Sequence, residues 1–307
     1  MECSFHARSE ASSMNLHDAL PRIFMPLVAA VRQNAERAAM NGEAEHIHRL
    51  RVDMARLRNA IELFEAWLPR VTARRLRQEL RWLRHTLAPA RAWAGFIDGH
   101  CRDLAAQRTK HAERAAVLTL AATQVLRRET TKAQKRLARR RAQALLTRLT
   151  TFIDVELPRW LDAVPPSHAR PIDFTPAVSD IADQAVHHAE RRLRRRARHL
   201  RHLDAHALHR VRLAAKRLRY TVELFRALEP TLAVYELGTL RGVQEVLGLI
   251  QDETVAQQLL AQLAENPNVK AVAERNIARS EKTIRAARKK LRARWRDYAD
   301  SIAIAEA

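Results

Sequence analysis

Apolar residues recur at three- and four-residue intervals along most of the chain, the period of a helix with one face in a core. The rhythm predicts helices over about 16–40, 44–67, 71–104 and from the 120s to 160, then over about 178–202, 205–228, 232–263 and 269–299. The breaks are supplied by "MNGE" and Pro69 in the first set and by "LDAH", Pro230 and "ENPN" in the second. Pro26 falls within the first helix, as a kink or in its opening turn, and "LGLIQDET" predicts a break in the seventh, with Gly248 loosening one end and Asp252 capping the next. Strand-like alternation is absent from this reading. The pattern predicts an all-α protein with four helices in each half.

The two sets are related. Shifted by 161 residues, positions 44–69 match 205–230 at 12 of 26 places without a gap. His48/His209, Arg51/Arg212, Leu57/Leu218, Arg58/Arg219, Glu62/Glu223, Phe64/Phe225 and Pro69/Pro230 all recur, so the polar face is repeated along with the apolar one. The chain therefore reads as two copies of one unit. Between them, residues 161–176 carry Pro165, Pro166, Pro171 and Pro176 and make the expected linker, which divides the chain into halves at 16–160 and 177–300. Residues 1–15 and 301–307 are expected to lie outside the helical halves, and Met14, directly before the first helical pattern, is a plausible natural start.

Within the repeated segment the charges form a stripe. At about 100° per residue, with His209 as zero, Arg212, Lys216, Arg219 and Glu223 all lie within about a quarter of the circumference. Val211, Leu218, Val222 and Phe225 occupy the opposite, core-forming face. His48, Arg51, Arg58 and Glu62 repeat this stripe in the first half. A charged stripe is ordinarily just a solvated face, but no acidic residue occurs from 209 to 222. Opposite charges that would relieve the i,i+4 repulsion are missing over about 15 Å of helix. An anion held on that face would supply them. Glu62 and Glu223, four residues after Arg58 and Arg219, are expected to orient those arginines rather than act as general acids, because neither has a titratable partner beside it.

Composition widens the picture. The 307 residues carry 55 Lys and Arg against 34 Asp and Glu, a formal net charge of +21, which points to an acidic partner. Six glycines are few, as befits long helices. Cys3 and Cys101 share no disulfide-like or zinc-like spacing, no run of about 18 apolar residues occurs, and the N-terminus lacks a signal-peptide core. These features predict a cytoplasmic protein with no membrane association, no metal and no cofactor. Further basic helical faces occur at 132–143, 189–202 and 282–296. Arg56, Arg141, Arg191, Arg195, Arg217 and Lys289 are accordingly candidates for additional anion contacts.

Three functions fit a basic helical chain. Binding of a multiply charged anion suits the stripe, which has no carboxylate to offset its charge from 209 to 222. Nucleic-acid binding suits the charge, but aromatic residues are only 5% and the stripe has Tyr220 alone beside it, too few for base stacking; no helix-turn-helix or zinc-finger spacing is evident. A histidine-dependent phosphotransfer enzyme would need a nucleotide or metal motif, and none is found.

The twice-occurring H-x-x-R-(V/L) pattern, its basic L-R pair and its aliphatic-Phe ending resemble the CHAD family, the conserved histidine α-helical domain. "LHRVRLAAKRLRYTVELF" and "LRGVQEVLGLIQDETVAQQLL" carry the closer match, and the resemblance spans about 16–299. It implies two four-helix bundles related by a pseudo-twofold axis, around a basic central groove or pore that binds inorganic polyphosphate. The residues matched to that role are His48, Arg51, Arg58, His209, Arg212, Lys216 and Arg219. It further implies a non-catalytic protein on polyphosphate granules, in contact with granule-associated proteins. No stretch resembles the triphosphate-processing CYTH domain that accompanies some members. The sequence departs from the family pattern at Ala55, opposite Lys216, where another Arg is usual, and at Ala92 and Ala94, where acidic residues are usual.

Overall fold

The computed structural model describes residues 14–106, 109–163, 174, 176–228 and 237–305, and all its regular structure is helical. Helix α1 (Leu16–Asn41) starts where Asn15 accepts the Asp18 backbone N–H at 3.0 Å and ends at Gly42, with φ of 62°. Only glycine suits that turn twice over, since a Cβ there would also meet the Gln134 side chain at 2.6 Å. Pro21 and Pro26 both lie inside α1. Helix α2 (Ala44–Leu63) follows, then a 3₁₀ turn at Glu65–Trp67 and α3 (Arg70–Thr86).

The single helix expected over 71–104 is interrupted. Chain α3 stops at Leu87, α4 (Ala88–Phe96) begins with Pro89 in its first turn, and a π turn at Ile97–Cys101 leads into α5 (Arg102–Ala105). Proline has no N–H to give and its ring obstructs the preceding turn, so a new helix starts there. The fourth expected helix is likewise divided into α6 (Thr109–Leu137), α7 (Arg140–Thr151) and α8 (Leu157–Asp162). Extended backbone at Arg139 makes the first division, and a π turn at Phe152–Glu156, just before Pro158, makes the second.

In the second half α9 (Val178–Arg196) ends before His199, which has φ of 57° and leads into a 3₁₀ turn at Leu200–His202. Helices α10 (Ala205–Leu228), α11 (Leu237–Leu263) and α12 (Pro267–Ala305) complete the chain. Here the expected break at Gly248 and Asp252 does not occur, and α11 runs through both. A helical glycine costs only about 1 kcal/mol, while Leu247, Ile250, Ala256, Leu259 and Leu260 around it are all buried. Packing outweighs the local preference. Of the expected linker and extensions, 1–13, 164–173, 175 and 306–307 lie outside the described residues. The flanks that are described meet: Leu16 N–H donates to the Phe174 carbonyl at 3.2 Å and Val178 N–H to that of Met14 at 3.0 Å.

The apolar side chains form three cores. The first joins α1, α2, α3, α7 and α8 with the start of α4, the end of α6 and the start of α9, the second gathers the rest of α9 with α10 to α12, and the third sets α4 to α6 against the end of α11 and the start of α12. Packing therefore departs from two self-contained bundles, because the first and third cores both draw on the two halves. Phe225, on α10, belongs to the first core. It meets its own counterpart Phe64 edge-to-face at 6.0 Å between ring centroids, where α2 and α10 meet.

A cationic cluster between helices α2, α3, α4 and α10

The core faces of α2 and α10 are buried through Leu50, Leu57 and Ile61 on one and Val211, Leu218 and Phe225 on the other. Helical geometry then fixes where the stripes go. His48, Arg51 and Arg58 of α2 and Arg212, Lys216 and Arg219 of α10 leave the flanks of those core faces, and all six are half-buried. Their mutual repulsion shows in their proton affinities. Burial, followed by Arg212, Arg219 and Arg84, lowers the pKa of Lys216 to about 8, with Asp252 opposing. His48 is pushed down by burial, then by Arg91, with Lys216 and Arg51 adding to the effect. Burial, followed by Arg84 and Arg91, brings Arg51 down to about 10. Arg212 is lowered by burial, and it feels Asp252 in opposition and both Arg219 and Arg91 in support. Lys216 thus acts on His48 across the two helices, and Arg84 and Arg91 each act on residues of both stripes.

Two residues at the centre of this cluster were not marked by sequence reasoning. Arg84, near the end of α3, accepts through its backbone carbonyl a short hydrogen bond from Arg51 Nη1, while its own guanidinium is depressed by burial and then by Arg81. Arg91, on α4, acts on His48, Arg51 and Arg212. A signal for Arg84 was present, since Arg77, Arg81 and Arg84 share one face of α3. Arg91 offered none, because it follows the Pro89 break.

The halves differ in detail. His209 makes a 2.5 Å hydrogen bond from Nδ1 to Gln251 Oε1, whereas His48 faces Arg91. With Nδ1–H donated to the amide, the Nε2 of His209 donates to an anion only when the ring is an imidazolium. Asp252 moderates Arg212 and Lys216 in the second half, and Ala92 provides no such carboxylate in the first.

Buried donors complete the site. The Nε atoms of Arg58, Arg84 and Arg219 are buried and have no hydrogen-bond partner among the described residues, although Arg219 Nε lies 3.4 Å from Glu223 in an ion pair. A buried donor without an acceptor costs about 1–3 kcal/mol. Two such groups, on Arg58 and Arg84, beside six or more mutually repelling cations have the chemistry to take up a multiply charged anion with several oxygen acceptors.

The remaining candidates lie elsewhere or are already paired. Arg217 Nη1 donates to Glu62 Oε1 at 2.7 Å, and Arg56 Nη2 to Glu223 Oε2 at 3.4 Å. Glu62 is therefore not bonded to Arg58 as expected; the meeting of α2 and α10 brings Arg217 nearer, and Glu62 acts on Arg58 only through its charge. Glu223 does pair with Arg219, alongside Arg56. Arg141 is held by Glu79 through two hydrogen bonds of 2.9 and 3.1 Å and lies 4.1 Å over Trp82. Arg191 and Arg195 line a separate cleft, and Lys289 is exposed on α12. A small cleft of about 380 Å³ adjoins His48 and Arg56, but Glu45 and Asp53 line it as well. Among the described residues no three His, Cys, Asp or Glu side chains are grouped to hold a metal ion, and no helix is long and apolar enough to cross a membrane.

Comparison with known proteins agrees with this architecture. The family model for the CHAD domain matches residues 22–261. Among solved structures, the CHAD domain from the plant Ricinus communis superposes with a TM-score of 0.71 at 24% identity, covering 94% of this chain and 95% of that one. PptA from Streptomyces chartreusis superposes with a TM-score of 0.62 at 19% identity, covering 92% of this chain and 100% of its own. No curated protein matches in sequence.

Proposed function

The chain belongs to the CHAD family, and on that footing we propose that it binds linear inorganic polyphosphate, without transforming it, between the α2 and α10 stripes. The observation that carries this reading is the set of half-buried, mutually repelling cations on α2 and α10, with the Nε–H groups of Arg58 and Arg84 buried and without an acceptor among the described residues. A phosphate chain presents oxygens on every unit. Arg51, Arg58, Arg84, Arg212 and Arg219 would grip those oxygens, Lys216 and Arg91 would add charge, and His48 and His209 would donate hydrogen bonds when protonated. Of the carboxylates beside the stripes, Glu62 and Glu223 are engaged by Arg217, Arg56 and Arg219, which suits an orienting role, and Asp252 acts on Arg212 and Lys216. The low aromatic content favours a phosphate chain over nucleic acid. Residence in the cytoplasm on polyphosphate granules, beside their other proteins, follows from this ligand.

The test is titration of the protein with long-chain polyphosphate at two salt concentrations, beside the Arg212→Ala/Arg219→Ala double variant. Binding that weakens with salt, as counterion release requires, and that falls ~100-fold or more in the double variant with helicity retained, is the expected result. Equal binding by both proteins overturns the assignment. A preference for DNA of equal charge in competition replaces polyphosphate with nucleic acid.

A further inference from the structure

A cleft of about 1030 Å³ lies between α9, the turn after it and α12, and none of the central stripe residues lines it. Seven arginines and two histidines line it, and no carboxylate does. Arg191 and Arg195 on α9, like Arg292 and Arg296 on α12, stand four residues apart, so each wall carries like charges about 6 Å apart along its axis. Such pairs destabilise a helix, and here two helices present them to each other. Of the seven arginines, Arg194 has a carboxylate partner, the buried Glu190 at 2.8 Å; Arg195, Arg198, Arg292 and Arg296 are exposed and form no ion pair among the described residues. The left-handed backbone at His199 turns the chain so that its ring joins the lining.

We propose that this cleft is a second binding site for a phosphate chain, distinct from the central cluster and occupied by a separate stretch of the same polymer. The inference rests on the polyphosphate reading above. Two facing rows of exposed arginines match a linear anion that carries charge along its whole length. The aromatic residues there do not match nucleic acid: the Tyr298 ring is 1% exposed, and Trp295 is half-buried against it at 5.4 Å and packs on the second core. Neither offers a free face for a base. The positive field extends inward as well, since Arg196 is depressed by burial and then by Arg192, Arg210, Arg195 and Arg217. Two sites on one protein would let a long chain bind with avidity, and let one protein join two chains.

Calorimetric titration with inorganic tripolyphosphate, too short to span both sites, tests the proposal on the full chain. Three proteins are compared: wild type, the central variant Arg212→Ala/Arg219→Ala, and a cleft variant Arg195→Ala/Arg292→Ala/Arg296→Ala whose helicity is checked by circular dichroism. Wild type is expected to bind two equivalents, and each variant one. A single equivalent in wild type, lost in the central variant and kept in the cleft variant, overturns the second site while leaving the central reading intact. Binding lost only in the cleft variant has the opposite meaning: the cleft stands and the central assignment fails. If a single-stranded oligonucleotide occupies the cleft and tripolyphosphate cannot displace it, the cleft is a nucleic-acid site and the proposal is wrong. A conservative variant, Arg195→Lys/Arg292→Lys/Arg296→Lys, should retain the second equivalent with affinity reduced less than ~10-fold, and its complete loss would show that charge is not what the cleft supplies.

Discussion

Glu62 on α2 accepts a 2.7 Å hydrogen bond from Arg217 on α10, and the residues 161 positions away from each repeat the contact in reverse as Glu223 and Arg56 at 3.4 Å. The two pairs flank the place where Phe64 meets Phe225. Each half thereby anchors a carboxylate of its own stripe through an arginine of the other.

This reciprocity predicts coupling. Glu62→Gln or Arg217→Ala should each lower stability by ~1 kcal/mol, as for a partly exposed ion pair. The charge-swapped protein Glu62→Arg/Arg217→Glu should recover part of the loss in chemical denaturation. No recovery would mean that neighbouring charges, not this pair, set the energy.

Phe225 gives a larger effect. It is buried in the core of the opposite half, so Phe225→Ala should cost about 3–5 kcal/mol. Unfolding monitored by far-ultraviolet dichroism should shift as one transition. A second half that melts separately while the first is unaffected would contradict the shared core.

Arg84 and Arg91 are expected to contact the phosphate chain although they lie outside the repeated segment. Arg84→Ala and Arg91→Ala should each weaken polyphosphate binding by ~10-fold or more, the scale of a charge-assisted hydrogen bond. Arg91→Gln, which imitates Gln251, should also relieve the depression of the His48 pKa, visible by NMR titration. An unchanged affinity would restrict the site to α2 and α10.

Lys216 makes the site sensitive to pH. Its folded pKa of about 8 lies below the ordinary 10.5, so between these values the unfolded chain holds a proton that the folded chain has released. Stability of the free protein should therefore rise with pH across that window, and the penalty should be complete below about 8. Lys216→Met should flatten the slope. Polyphosphate restores the charged form, so binding near pH 8 should take up protons, detectable by calorimetry in buffers of different ionisation enthalpy. Arg212, Arg219, Arg84 and Asp252 are the charged groups that face it.

The sequence by itself determined the helical class, the repeated α2 and α10 segments and the seven stripe residues. Helical periodicity is a local property, and a repeat displays which polar positions travel with the apolar ones. It also located the Pro-rich stretch before α9, because proline acts on its own backbone. Only the tertiary structure decided that Glu62 serves Arg217 rather than Arg58, and that Arg84 and Arg91 enter the cluster. These outcomes depend on how α2, α3, α4 and α10 cross, and crossings are set by side chains far apart in sequence. The continuity of α11 through Gly248 was decided in the same way: the burial of Leu247, Ile250 and Leu260 in cores assembled from distant segments outweighed a local preference worth about 1 kcal/mol.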